Sequence, residues 1–141
     1  MDSREFVRLL KCEAVDSIVS SILSKLKSPR QLQATTESDD PIQKGVTEFI
    51  NQGARVQQQQ AAWFRQLSDE QQRVLINMLE ECAELSALSV CTLIDGVGGN
   101  YEGTFELSAV DSKGKKTRLN PENSEMLHDL LSDVLEEERK D

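Results

Sequence analysis

The chain has 141 residues, a formal net charge of −9 and 38% hydrophobic residues. This is the length of one ordinary domain, long enough to bury a core without disulfides or metal. The uncharged stretch in its most apolar part, 85–94, has ten residues, against about 20 needed to span a bilayer, which excludes a transmembrane helix and leaves no membrane partner expected.

From Ser3 to Lys27 the pattern is helical. Cys12, Val15, Val19, Ile22 and Leu26 recur at spacings of three and four and line one face. Ser28-Pro29 stops the helix, because a residue before proline is pushed out of the helical region. Residues 1–33 are expected to form an amphipathic arm, packed on the core or pairing two chains. Residues 34–40 read as a linker, and 41–141 as a compact α+β domain.

Asp40 with Pro41 caps a second helix. Its stripe is Val46, Phe49, Gly53, Val56, Gln60, Trp63 and Leu67. Gly53 weakens the helix and is expected to admit a neighbouring backbone, while Gln57 to Gln60 read as a solvated face. Ser68-Asp69-Glu70-Gln71 is a capping box that opens a third helix. There Val74, Leu75, Met78, Leu79, Cys82, Leu85, Ser89 and Leu93 share one wide face, expected to be the core face. Glu80, Glu81 and Glu84 sit opposite, but beyond Glu84 that side is taken by Ala87, Leu88 and Cys91, so the second half of the helix is expected to be apolar all round, as at the centre of a fold. The stretch 90–94 is rich in β-branched residues and competes as a strand, but the helix reading is kept to about Leu93.

A glycine-rich loop follows. The alternating runs 104–110 and 115–120, joined at Asp111–Gly114, predict a β-hairpin or a three-stranded antiparallel sheet. Asn120-Pro121 caps a last helix with the face Leu127, Leu130, Leu131, Val134 and Leu135. The fold class is α+β, with three N-terminal helices, a hairpin and a C-terminal helix.

The candidate chemistries fail on spacing. The loop Asp95-Gly96-Val97-Gly98-Gly99-Asn100 lacks the following helix and the Lys-Ser/Thr pair of a phosphate cradle, so no nucleotide cofactor is expected. Glu125 and His128 match a Glu-x-x-His pair, with Glu80, Glu81 and Glu84 as carboxylate partners. They point away from the leucine face of the last helix, so no metal is expected. His128 is the only histidine. Cys12 and Cys82 lie in apolar stripes and read as core residues. Three cysteines without an export signal, and Asp2 and Glu5 where a leader would be basic, place the chain in the cytoplasm with reduced thiols.

Charge is uneven. Residues 121–141 hold two Lys/Arg against eight Asp/Glu, and 68–95 hold one against six. Such a surface repels phosphate backbones, so no nucleic acid partner is expected. Trp63-Phe64 is the densest aromatic site in a chain with 4% aromatics. Its first reading is a core anchor, its second an interface hot spot. Glu136-Glu137-Glu138 sits where the helix dipole disfavours negative charge, and reads as a solvated end or a dock for a basic partner.

The expectation is therefore a small acidic protein-interaction module without catalysis. One version is an immunity- or antitoxin-type inhibitor of a basic partner, steered by charge. Its candidate interaction residues are Trp63, Phe64, Val15, Val19, Ile22, Leu26, Glu136, Glu137 and Glu138. The alternative is a self-associating structural or adaptor protein in which the first helix pairs chains, so that a chain without residues 1–34 is a soluble monomer. A third reading is an enzyme using Asp95, Tyr101 and Glu102 around the glycine loop.

Overall fold

The computed structural model describes residues 1–34, 40–97 and 105–140. In chain order they form α1 (Ser3–Leu10), a π-helical stretch (Lys11–Asp16), α2 (Ser17–Lys27), α3 (Pro41–Gln66), α4 (Asp69–Ile94), β1 (Ser108–Val110), β2 (Lys116–Arg118) and α5 (Leu127–Glu138). The class is α+β: the described residues are mostly helical, with a two-stranded antiparallel sheet. Most of the expected 34–40 linker lies outside the described residues.

Capping sets the starts of α3 and α4 where the sequence predicts, and a further cap opens α1. The Asp2 side chain accepts from Glu5 N–H while the Glu5 carboxylate accepts from Asp2 N–H, closing a capping box on α1. Asp40 accepts from Ile42 N–H above Pro41. Ser68 and Gln71 exchange the same reciprocal pair of bonds at α4. The end of α4 is a Schellman motif: Gly96 has φ +74°, its N–H donates to Leu93 O, and Val97 N–H donates to Thr92 O. Gly96 thus carries α4 through 90–94 as helix, and the competing strand does not form.

Contacts divide the chain into two compact units, Met1–Ile18 with Leu79–Asp141, and Val19–Met78. Both boundaries fall inside helices, a different partition from the arm, linker and domain expected from composition.

In the first unit, α1 packs against α5, and the core holds Val7, Val15, Ala87, Cys91, Leu127, Leu130, Leu131, Val134 and Leu135. The predicted face of α5 is thus wholly buried. In a uniform α-helix Val7 and Val15 would point ~80° apart; one wide π turn absorbs about one residue and returns both to one side. The turn is visible where Ser17 N–H donates to Cys12 O, and it leaves Cys12 exposed, contrary to its expected place in the core. The hairpin pairs Ser108 with Arg118 and Val110 with Lys116. Asp111 accepts from Lys113 and Lys115 N–H, and Gly114 takes φ +79° to close the turn. Ser3 Oγ donates to Leu119 O at 2.7 Å, tying the start of α1 to the hairpin. The last helix begins at Leu127, not after Pro121, because 121–126 is occupied by a turn in which Ser124 N–H donates to Pro121 O.

In the second unit Val19, Leu26, Ala54, Ala61 and Phe64 are buried. The segment after α2 runs extended along α3 and is strapped by amides. Gln57 accepts from Arg30 N–H, Gln58 donates to Arg30 O, and Asn51 bonds both the N–H and the carbonyl of Gln33. The glutamine run is therefore not simply a solvated face: an extended segment needs backbone partners, and these side chains supply them. At the other end Gln72 donates to Phe64 O and Leu67 O, covering the last carbonyls of α3.

The expected apolar stripe of α3 is not its buried face, and on α4 burial falls where the glutamate side gives way to Ala87 and Cys91, in the half expected to be apolar all round. On α3 the buried side runs through Ala54, Ala61 and Phe64, while Val46, Phe49, Val56 and Trp63 are exposed. On α4 the buried residues are Ala87 and Cys91, and Val74, Met78, Cys82, Leu85 and Leu93 are exposed. Small residues, Ala54 and Ala61 on α3 and Ala87 and Cys91 on α4, lie on the buried sides, and much of the bulky stripe is turned out. Among the described residues nothing lies within 4 Å of where a Cβ on Gly53 would sit, so none of their backbones uses it.

Candidate functional site

The outer face of α3 carries Ile42, Val46, Phe49, Gly53, Val56, Gln60 and Trp63, spaced strictly four and three apart. Phe49 is 77% exposed and Ile42 76%, values far from those of core residues of their type. Trp63 is half-exposed and its neighbour Phe64 buried. The aromatic pair therefore splits: Phe64 is the anchor, and Trp63 faces outward. Trp63 also forms one wall of an open groove of about 670 Å³ at the α3–α4 turn, with Leu67, Val74, Leu75 and Met78 as floor and Glu70 at the rim. Scattered surface apolar residues are ordinary, but a row at helical spacing running into a groove is the form of a docking surface.

Val15, Val19 and Leu26, offered as contact residues on the first helix, are buried within the chain, and Ile22 is half-buried. Glu137 pairs with Arg4 at 2.5 Å and lies 3.7 Å from Arg8, and Glu138 pairs with Lys11. Glu136 is exposed. Burial of the Lys11 stem disfavours its charge, but the carboxylates of Glu138 and Asp16 outweigh this and hold its pKa above the ordinary range. The acidic end of α5 opposes its own helix dipole, and three cations of the first helical stretch offset that charge.

Sequence reasoning missed one polar pair. Asp95 Oδ2 accepts from the backbone N–H of His128 at 2.9 Å and lies 2.8 Å from His128 Nδ1. A carboxylate only accepts, so Nδ1 carries the proton and Nε2 faces out, 3.5 Å from Asp129. Asp95 is just past the end of α4, and Met126 at the N-cap of α5 makes no side-chain cap bond. Asp95 therefore caps α5 from another helix. The signal was an aspartate at a glycine-terminated helix end, 33 residues before the histidine it meets; nothing local in sequence joins them.

Comparison with family models, with curated proteins and with solved structures found no match to this chain.

The remaining chemistries are placed as follows. Glu125 precedes α5, so it and His128 do not share a helix face, and Glu84 pairs with Arg139 at 2.6 Å. Among the described residues no group of three or more His, Cys, Asp and Glu side chains is set to hold a metal. A cleft of about 220 Å³ is lined by Asp95, Phe105, Arg118, Asn120, Glu125 and Met126 among others. Gly98, Gly99, Asn100, Tyr101 and Glu102, on which the cradle and enzyme readings depend, lie outside the described residues. No helix among the described residues is long and apolar enough to cross a membrane.

Proposed function

We propose that this chain is a non-catalytic protein-interaction module that docks a partner on the outer face of α3. The observation that carries the reading is the row Ile42, Val46, Phe49, Val56 and Trp63, exposed at helical spacing while the opposite side of the same helix is packed. Bulky aromatic and aliphatic groups standing in a line supply the central anchors that interfaces use. The acidic patch of α5 supports a charge-led dock less well, because Glu137 and Glu138 already meet Arg4, Arg8 and Lys11. An inhibitor of a basic target rests on the net charge of −9, and requires binding that weakens as salt rises.

The test is recovery of the tagged chain from the cells that express it, beside a Trp63→Ala/Val56→Ala variant. A stoichiometric companion, another protein or a second copy, should be retained by the parent and lost by the variant. Equal recovery with both chains would show that this face is not the dock.

A further inference from the structure

The geometry points to a second copy of this chain as the occupant of the α3 face, in an antiparallel pair centred on Gly53; this rests on the reading of α3 as the docking face. The exposed row alternates four and three from Ile42 to Trp63, the spacing of a helix-pairing seam. It is also symmetric about its middle. A two-fold axis at Gly53 sets Gly53 opposite itself, and brings Ile42 within one residue of the level of Trp63 and Phe49 within one residue of the level of Val56. Gly53 has open space where a Cβ would be, so two helices can approach closely where they cross.

Charge selects the same arrangement. Two chains of −9 repel each other, but α3 carries Lys44, Arg55 and Arg65 against Glu48 alone. A two-fold antiparallel pair brings like edges of the two helices together. The edge of α3 turned away from its own unit holds Glu48, Gln52, Arg55 and Gln59, all exposed. In this register Glu48 falls within about one helical turn of Arg55 of the second copy, twice by symmetry. In the same register Gln59 falls beside Glu48 of the second copy and Gln52 beside its Arg55, and an amide both donates and accepts. No charge on this edge faces its own kind.

The test is sedimentation of the full chain over a wide concentration range, beside Phe49→Glu. Phe49 is exposed, so the variant keeps its fold, which circular dichroism checks. The parent should form a dimer, and Phe49→Glu should raise the dissociation constant roughly 30-fold or more. Arrangement is read with a short bis-maleimide in a Cys12→Ser/Cys82→Ser background. Gly53→Cys should link to itself, and Phe49→Cys should link to Val56→Cys when the two chains are mixed but not to itself. A chain that is monomeric throughout, a dimer indifferent to Phe49→Glu, or Phe49→Cys linking to itself would overturn the pairing. If the parent is monomeric yet retains another protein that the Trp63→Ala/Val56→Ala variant loses, the docking face stands and only the second copy is lost.

Discussion

Asp95 accepts two hydrogen bonds on one carboxylate oxygen, with only 3% of its side chain exposed. It joins the end of α4 to the start of α5, where no local cap exists. Asp95→Ala leaves the His128 N–H and ring without their acceptor, and should cost about 1–2 kcal/mol, read as a lower urea midpoint at unchanged slope. The cysteines separate by environment. Burial, then the nearby Asp95 carboxylate, push the Cys91 thiol up to about 11 from its ordinary 9.0, whereas Cys12 and Cys82 are exposed. Native protein should therefore give two fast-reacting thiols toward a disulfide reagent at neutral pH, with the third released on unfolding. A raised pKa in the folded state means that the folded chain holds its proton longer than the unfolded chain. The stability this supplies is intact below about pH 9 and lost as pH rises towards 11. Lys11 has the same sign, so its contribution adds to the alkaline loss. In Cys91→Ala the thiol's share of that loss should disappear from a series of melting curves taken across this pH range.

At the scale of elements, α3 has two apolar faces with different occupants. Ala54, Ala61 and Phe64 are buried, and the four-three row from Ile42 to Trp63 faces out. Helical periodicity reports that a stripe exists and does not report what covers it. The bulkier stripe attracts the core assignment, and here it is the wrong one. Gly53 tests the division. Its Cβ position is open and its φ is not in the left-handed region. Gly53→Ala in the Phe49→Glu chain should therefore raise stability by up to ~1 kcal/mol through helix propensity. A loss of stability in urea titration would mean that a neighbour does approach there. The π-helical stretch makes a similar point: Val7 and Val15 fit one core only because the turn between them is wide, and no residue in 11–16 announces that turn.

At the scale of the molecule, the two ends of the chain meet. α1 packs on α5, Ser3 reaches Leu119, and Arg4 reaches Glu137. Val7 and Val15 belong to the same core as Leu127, Leu131 and Val134. Removing residues 1–18 should therefore expose that core and abolish a cooperative thermal transition, read by circular dichroism, rather than leave a soluble monomer. The surface pairs between α1 and α5 contribute little each and are screened by salt. High salt should thus lower the melting temperature by no more than a few degrees, and a large drop would mean that the ion pairs, not the valines and leucines, hold the ends together.

The sequence by itself determined the α+β class, the helix starts at Asp40 and Ser68, the hairpin turn at Gly114 and the buried face of α5. These depend on groups a few residues apart, whose hydrogen bonds and φ preferences act over one turn. It also determined that α3 and α4 carry apolar stripes. Only the tertiary structure decided which side of each helix is covered, that Gln57, Gln58 and Asn51 strap an extended segment, and that Asp95 caps α5. Each of those depends on which distant group comes within hydrogen-bond or van der Waals reach, and periodicity, which weighs the bulky residues most, does not report that the covered sides hold Ala54, Ala61 and Ala87.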